Sequence, residues 1–267
     1  MEEIFKCVDL VKSFSGKSGS VWAVDGISFS VGRGEVYGLV GESGSGKSTL
    51  GNLLCALENP DSGKIFFEEQ DISLFNRRKM LEFRKKVQII FQDPYASLNP
   101  KHKIGSIIEE GLKIHKIGAN SQERKRLVNE MRTLVALPLD ALEKYPSELS
   151  GGQRQRVAIA SAMILRPEFV VCDECVSSLD VLIQAQILNL LKEMQKSFKL
   201  TYLFISHNLK VTARLADRIG VMYKGKIVEE KTTSELLRNP EHPYTKKLLE
   251  AAELYSDFNN SSRATAL

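Results

Sequence analysis

The residues of this chain best suited to chemistry form one glycine-rich stretch, which reads Gly41, Glu42, Ser43, Gly44, Ser45, Gly46, Lys47, Ser48 and Thr49. The stretch matches the pattern G-x-x-x-x-G-K-[ST], in which backbone N–H groups turn inward around the phosphates of a nucleotide. In this pattern Lys47 supplies a mobile positive charge, and the hydroxyl of Ser48 ligates Mg²⁺. The sequence therefore predicts a site for ATP and Mg²⁺.

The elements on either side of the stretch support this prediction. Residues 36–40 are apolar and indicate a short buried strand, while residues 49–57 carry leucines at helical spacing. The helix would point its positive N-terminal end at the bound anion. A glycine-rich turn that arose by chance would not require a strand before it and a helix after it.

A pair of acids follows another apolar segment. Asp173 and Glu174 come directly after residues 169–172, which indicate a buried strand. We expect Asp173 to hold Mg²⁺ indirectly, and Glu174 to orient the attacking water and accept its proton. Adjacent acids are also typical of helix starts, so a pair of helix N-cap residues is the alternative.

A second possible anion site precedes the helix predicted over residues 155–165, and it reads Leu149, Ser150, Gly151, Gly152 and Gln153. A serine and two glycines at a helix start can bind anionic oxygens, although a simple helix cap is the plain alternative. The motif resembles the signature of ABC-type ATPases, and it ends 20 residues before Asp173, as in that family. The resemblance implies that two subunits sandwich two ATP molecules, each signature contacting the partner's nucleotide.

Other positions resemble the same family from about residue 3 to 251. Gln92 matches the glutamine that senses Mg²⁺ and water, residues 178–180 match a loop across the dimer, and His207 matches the switch histidine at the γ-phosphate. Together with Lys47 and Glu174, Gln92 and His207 form the implied catalytic set. Ser48, Gln92 and Asp173 form the implied set around Mg²⁺.

Phe14 lies where the family stacks an aromatic ring on adenine. Trp22 and Phe5 are nearby alternatives for this role.

More specific strings narrow the resemblance to importers for oligopeptides, dipeptides and nickel. These strings cover residues 91–100, 178–188 and 239–245. Apart from the resemblance to this family, residues 239–245 indicate only the start of a helix, with a proline near the first turn. Two positions depart from the family pattern: Cys175 replaces a proline after Glu174, and Asn208 replaces an aspartate after His207.

Strands that alternate with helices predict a parallel sheet covered on both faces. Strands are also expected over residues 4–10, 21–31, 87–91 and 201–205, with a flexible turn at 15–20 and helices at 181–196 and 209–216. The resemblance implies an α/β P-loop ATPase fold with a mostly parallel central sheet, an N-terminal antiparallel β subdomain and an inserted helical lobe. We expect one ATPase domain over residues 1–251, its lobe at about 95–165, and a loose tail over 252–267.

Composition excludes several classes of protein. The net charge of +4 over 267 residues is too small to predict nucleic-acid binding, and we expect the basic triplet 124–126 to be a solvated helix face. Four sparse cysteines are typical of a reducing compartment, although Cys172 and Cys175 leave a redox or metal role as an alternative. Neither a signal peptide nor a stretch of 18 apolar residues is visible.

We therefore expect a peripheral protein at the cytoplasmic face of the membrane, which hydrolyses ATP to power import of short peptides. The resemblance implies a second ATPase subunit, two permeases and an extracytoplasmic substrate-binding protein as partners. A nickel or metal-chelate importer is the nearest alternative. A soluble ABC-type ATPase acting on nucleic acid is a further one, but such proteins usually carry two cassettes or a long coiled coil. An isolated P-loop kinase would not need the signature.

Overall fold

The computed structural model describes residues 2–16 and 19–252, and the chain divides into two parts. The first part contains the described residues up to 75 and those from 201 onward, and the second contains residues 76–200. The inserted lobe predicted at about 95–165 lies within the second part.

The N-terminal half of the first part carries an antiparallel sheet. This half contains β1 Glu3–Gly16, β2 Gly19–Gly32, β3 Val36–Val40, helix α1 Lys47–Leu54, β4 Ser62–Phe67, β5 Gln70–Asp71 and a 3-10 turn at Ile72–Leu74. The sheet has the order β2-β1-β4-β5, and the rings of Phe5 and Phe67 pack in its core with centroids 5.1 Å apart. The predicted antiparallel subdomain is confirmed.

The strands β1 and β2 are longer than predicted. Ser15 pairs with Ser20, and Gly16 with Gly19, so the flexible turn predicted over 15–20 is wrong at both ends. Cross-strand hydrogen bonds hold these polar residues in a ladder that their composition does not indicate. Residues 17 and 18 lie outside the described residues.

Strand β3 is buried along its whole length, as its apolar run predicts. Helix α1 buries Leu50, Leu53 and Leu54, but it ends before Leu57, which is 51% exposed. The chain leaves the helix at Ala56, whose φ of 50° is left-handed. The predicted helix over 49–57 therefore begins earlier and ends earlier than expected.

The second part is mostly helical and surrounds two parallel strands. It contains α2 Arg77–Lys86, β6 Val87–Ile90, α3 Pro94–Ser97, α4 Ile104–Ile114, α5 Ser121–Leu134, 3-10 turns at Leu139–Glu143 and Pro146–Glu148, α6 Gly151–Met163, β7 Phe169–Asp173 and α7 Val181–Phe198. Strands β6 and β7 pair in parallel, with Ile90 opposite Cys172. Helix α4 packs against α5 and α6.

The basic triplet lies on α5, where Lys125 and Arg126 are exposed and Arg124 is half-buried. Arg124 pairs with Glu109 at 2.9 Å and Arg126 with Glu130 at 2.7 Å, so these charges are compensated within the second part. The prediction of a solvated helix face is confirmed for Lys125 and Arg126, whereas Arg124 packs half-buried against α4.

The C-terminal half of the first part completes a mixed sheet around β3. It contains β8 Thr201–Ser206, α8 Leu209–Ala213, β9 Arg218–Tyr223, β10 Lys226–Thr232, α9 Thr233–Arg238 and α10 Pro243–Ala251. Strand β3 pairs in parallel with both β8 and β9, and β10 runs antiparallel to β9. The predicted α/β class with a mostly parallel sheet is confirmed. Of the predicted tail over 252–267, Ala252 ends α10, and the rest lies outside the described residues.

Candidate nucleotide-binding site

The glycine-rich stretch forms a loop between β3 and α1, as predicted. Gly44 and Gly46 have left-handed φ values of 79° and 104°, which favour glycine. Gly46 is the N-cap residue of α1, and a glycine offers no side-chain oxygen to the first N–H groups of the helix. The start of α1 therefore presents backbone donors and a positive dipole end that suit an anion.

Close packing also requires glycine at both ends of this loop. A Cβ at Gly41 would lie 2.2 Å from the carbonyl oxygen of Met222, and a Cβ at Gly46 would lie 1.8 Å from that of Ala23. Backbone from β9 and β2 thus presses the loop into shape from two sides. Side chains at these positions would displace the loop.

Lys47 lies over the loop, where carbonyl oxygens hold its ammonium group. Its Nζ donates to the oxygen of Gly41 at 2.9 Å and to that of Glu42 at 2.8 Å, and it lies 3.4 Å from the hydroxyl of Ser45. Lys47 is 4% exposed, whereas Ser48 in the same helical turn is exposed. The loop thus combines the fixed ammonium group of Lys47, the backbone N–H donors at the start of α1 and the exposed hydroxyl of Ser48.

His207 belongs to the same part of the fold as the loop. Strands β3 and β8 pair with Val40 opposite Ser206, so Gly41 and His207 are the next residues at the same edge of the sheet. His207 is exposed. Asn208 caps helix α8, since its side chain accepts from the N–H of Val211 at 3.2 Å. Asparagine and aspartate are both good N-cap residues, so this departure from the family pattern keeps the cap of α8.

The three aromatic candidates for adenine stacking differ in their burial and in the face of the sheet on which they lie. Phe5 is buried against Phe67, so it is unable to meet a base. Phe14 and Trp22 are 44% and 55% exposed. Because Phe14 pairs with Val21 while Trp22 pairs with Ser13, the two rings lie on opposite faces of the hairpin. Phe14 stays a prediction, with Trp22 as its remaining alternative.

The acids Asp173 and Glu174 lie at the end of β7 in the second part. Asp173 is 7% exposed, and Glu174 is half-buried with a left-handed φ of 45°. The next helix, α7, begins only at Val181, and Asp180 caps it by accepting from the N–H of Ile183 at 3.0 Å. The alternative of a helix N-cap pair at 173–174 is therefore wrong. Asp180, in the loop at residues 178–180, has the capping role instead.

Gln92 and Asp173 line one cavity of about 370 Å³. The other lining residues are Phe91, Asp93, Ala96 and Ser97. Gln92 itself is exposed, just beyond β6, and Asp93 caps the short helix α3. Two of the three residues predicted around Mg²⁺ are thus brought together within the second part.

The signature residues form the start of α6. The Ser150 hydroxyl accepts from the N–H of Gln153 at 3.3 Å, and the Gln153 side chain accepts from the N–H of Ser150 at 3.0 Å. This reciprocal capping box starts the helix at Gly151, four residues earlier than predicted, so the glycines lie inside its first turn. The helix-cap reading of Ser150 is confirmed. Ser150 and Gly151 are both exposed at this helix end.

The cysteine pair around these acids is buried. A hydrogen bond with Cys175, together with burial, raises the pKa of the Cys172 thiol well above its ordinary value. A thiol in that state is a poor nucleophile and a poor metal ligand. Among residues 2–16 and 19–252, no group of three His, Cys, Asp or Glu residues is placed to hold a metal ion.

One contact of the loop was missed by the sequence analysis. The hydroxyl of Tyr244 accepts from the backbone N–H of Glu42 at 2.9 Å. Tyr244 lies in the string 239–245, which indicated a subfamily and a helix start only. Its separation of 202 residues from Glu42 leaves no local signal of the contact.

The site residues fall into two sets. Lys47 and the rest of its loop, with His207 and Phe14, belong to the first part of the fold. The second part holds Gln92, Asp173, Glu174 and the signature residues 150–153.

Over the described residues, the structure has no helix that is both long and apolar enough to cross a membrane.

Comparison with known proteins agrees with these motifs. The family model described as ABC transporter matches residues 24–177, which contain the loop, Gln92, the signature and both acids. The chain is 48% identical over 254 residues to the oligopeptide transport ATP-binding protein OppF of Bacillus subtilis, covering 95% of this chain and 83% of that protein. It is 50% identical over 236 residues to OppF of Streptococcus mutans, covering 88% of this chain and 77% of that protein.

Solved structures with the same fold include a dimeric post-hydrolysis state of the ATP-binding cassette MJ0796 bound to ADP and Pi. That structure matches with a TM-score of 0.79 and 26% identity, covering 86% of this chain and 98% of that one. CbiO1 from Clostridium perfringens, part of the ABC transporter complex cbiONQ, matches with a TM-score of 0.77 and 27% identity over 90% of this chain and 92% of that one. The motif-based resemblance is confirmed, and the chain belongs to the ABC transporter family.

Proposed function

We propose that this chain is the ATP-hydrolysing subunit of an importer for short peptides, peripheral at the cytoplasmic face of the membrane. The observation that carries this proposal is the identity of 48% and 50% to two oligopeptide transport ATP-binding proteins over at least 88% of the chain. All motifs needed for ATP turnover are present alongside this similarity. The partners would be a second ATPase subunit, two permeases and an extracytoplasmic substrate-binding protein.

The loop at residues 41–49 would bind the phosphates of ATP. Its backbone donors and the dipole of α1 favour the anion, and Lys47 would move from the loop carbonyls to the β- and γ-phosphates. Ser48, Gln92 and, indirectly, Asp173 would hold Mg²⁺, because hydroxyl, amide and carboxylate oxygens are groups of the kind this ion prefers. When bound, Mg²⁺ neutralises charge on the phosphate oxygens.

Glu174 would accept the proton of the attacking water. Gln92 and His207 would help to orient that water and the γ-phosphate, so that catalysis consists mainly of positioning and charge stabilisation. Burial of the neighbouring Asp173 and the half-burial of Glu174 support this division of roles, since a general base needs contact with water.

The signature would act on the nucleotide of a second subunit. Ser150 and Gly151 are exposed at the start of α6, where they are accessible to another molecule. ATP binding would therefore be a property of the single chain, while turnover would require dimerisation.

The test is ATP hydrolysis by the assembled importer in lipid vesicles, with its substrate-binding protein present. We expect short peptides to stimulate hydrolysis by wild type and not by Glu174→Gln. Stimulation by nickel chelates and not by peptides would contradict the peptide assignment and favour the metal importer. Hydrolysis by the chain without permeases, stimulated by DNA or RNA, would contradict the transporter assignment.

A further inference from the structure

One hydrogen bond connects the C-terminal helix α10 with the phosphate-binding loop. The backbone N–H of Glu42 donates to the hydroxyl oxygen of Tyr244 at 2.9 Å. This N–H belongs to the same peptide group as the carbonyl oxygen of Gly41, which accepts from Lys47 Nζ at 2.9 Å. One planar peptide group is therefore held at its donor end by Tyr244 and contacts Lys47 at its acceptor end.

Glu42 is the centre of the contacts that shape the first turn of the loop. Its carbonyl oxygen accepts from Lys47 Nζ at 2.8 Å and from the N–H of Ser45 at 3.2 Å. Rotation of the Gly41–Glu42 peptide group would move the Gly41 carbonyl, which is one of the two carbonyls that hold Lys47. A fixed acceptor for the Glu42 N–H therefore also fixes the lysine.

Tyr244 is itself anchored independently of the loop. Its ring packs on Tyr223 with centroids 4.3 Å apart, and its N–H donates to Nδ1 of the N-cap residue His242 at 3.2 Å. The carboxylate of Glu229 accepts from the N–H groups of Glu241 and His242 at 2.8 and 3.0 Å. Burial raises the pKa of Tyr244, so the hydroxyl is neutral at physiological pH. The tyrosine thus presents a rigid, uncharged acceptor to the loop.

We propose that Tyr244 is a positioning residue for ATP, which holds the Gly41–Glu42 peptide group and through it the phosphate-binding loop and Lys47. This inference rests on the proposed binding of ATP by that loop. It gives the string at residues 239–245 a physical role: His242 and Pro243 start a helix whose next residue reaches the loop. Without the hydroxyl, the loop would populate other conformations, and the apparent affinity for ATP would fall with the competent fraction.

The test compares Tyr244→Phe with Tyr223→Phe in the full chain. The first change removes the acceptor and keeps the stacked ring, and the second removes a hydroxyl from the adjacent ring. We expect Tyr244→Phe to weaken binding of a fluorescent ATP analogue about tenfold, as one lost hydrogen bond to a partly buried donor allows. In the assembled importer, KM for ATP should rise by a similar factor while kcat changes less than about twofold.

Several outcomes would overturn the proposal. Equal ATP affinity of both variants would do so, as would a lower melting temperature of Tyr244→Phe without any change in KM. Amide hydrogen exchange of the wild-type chain tests it without a variant, since an unprotected Glu42 N–H contradicts the bond. If wild type and Lys47→Ala bound the analogue equally, the site proposal would fail. If Tyr244→Phe bound the analogue as tightly as wild type while Lys47→Ala bound it more weakly, only this inference would fail and the site proposal would stand.

Discussion

Gly46 faces the carbonyl oxygen of Ala23 so closely that a Cβ would lie 1.8 Å from it. The obstacle is backbone of β2, which a side-chain rotation does not relieve. Gly46 also has a φ of 104°, which disfavours any residue with a Cβ. We expect Gly46→Ala to shift the loop, to abolish measurable ATP binding and to reduce the free energy of unfolding by about 3 kcal/mol or more.

Gly44→Ala is the control for this variant. Gly44 has a left-handed φ of 79°, yet an added Cβ would meet no atom of the described residues within 4 Å. Only the backbone preference is lost, so we expect a reduction of about 1 kcal/mol and retained ATP binding. Calorimetry for nucleotide binding and urea unfolding measure both quantities. Equal effects of the two substitutions would show that φ alone, and not contact with β2, constrains the loop.

Glu174→Gln should separate ATP binding from ATP hydrolysis. The amide keeps the size and polarity of the side chain but is unable to accept the proton of water. We expect the hydrolysis rate of the assembled importer to fall at least about a hundredfold, with the affinity for ATP unchanged. Glu193→Gln, an exposed position on α7, is the matched control and should keep wild-type turnover. Turnover at the wild-type rate by Glu174→Gln would refute its role as the base.

Local patterns were enough to predict the loop and its strand and helix from sequence. The apolar run at Val36–Val40 and the spacing of the glycines after it are visible in the local sequence. Pairing of Gly16 with Gly19 depends on the opposing strand, and the exposure of Leu57 depends on where α1 ends, so these boundaries were wrong. The contact of Tyr244 with Glu42 joins residues far apart in the chain, and only the folded sheet brings them together.

The two signature glycines should respond differently to the same substitution. A Cβ at Gly151 would meet no atom of the described residues within 4 Å, whereas a Cβ at Gly152 would lie 2.8 Å from Cγ2 of Ile183 on α7. Gly151→Ala should therefore leave stability and ATP binding of the single chain unchanged. If a second subunit brings its nucleotide to this helix end, the added methyl should lower turnover more than about tenfold.

Gly152→Ala should instead reduce stability. Overpacking against Ile183 is expected to lower the free energy of unfolding by about 1–2 kcal/mol. Urea unfolding and hydrolysis by the assembled importer, measured for both variants, give the comparison. Normal turnover by Gly151→Ala would contradict the proposed contact with a second subunit's nucleotide.

Glu229 should make the anchoring of α10 sensitive to acid. Burial of this carboxyl opposes its ionisation, but hydrogen bonds from the N–H groups of Glu241 and His242 and from Lys231 outweigh burial and lower its pKa. A pKa that is lower in the folded state than the ordinary value of about 4.3 stabilises the fold above that pH. This contribution is lost as the pH falls through the folded-state pKa.

Glu229→Gln should therefore be less stable than wild type by about 2 kcal/mol at pH 7, because the charged acceptor of several hydrogen bonds is gone. The difference should shrink as the pH falls below the ordinary glutamate pKa of about 4.3 and through the lower folded-state pKa of Glu229. Urea unfolding at a series of pH values measures it, with Glu250→Gln on the exposed face of α10 as the control. A difference that stays constant down to pH 3 would mean that Glu229 acts through its shape and not through its charge.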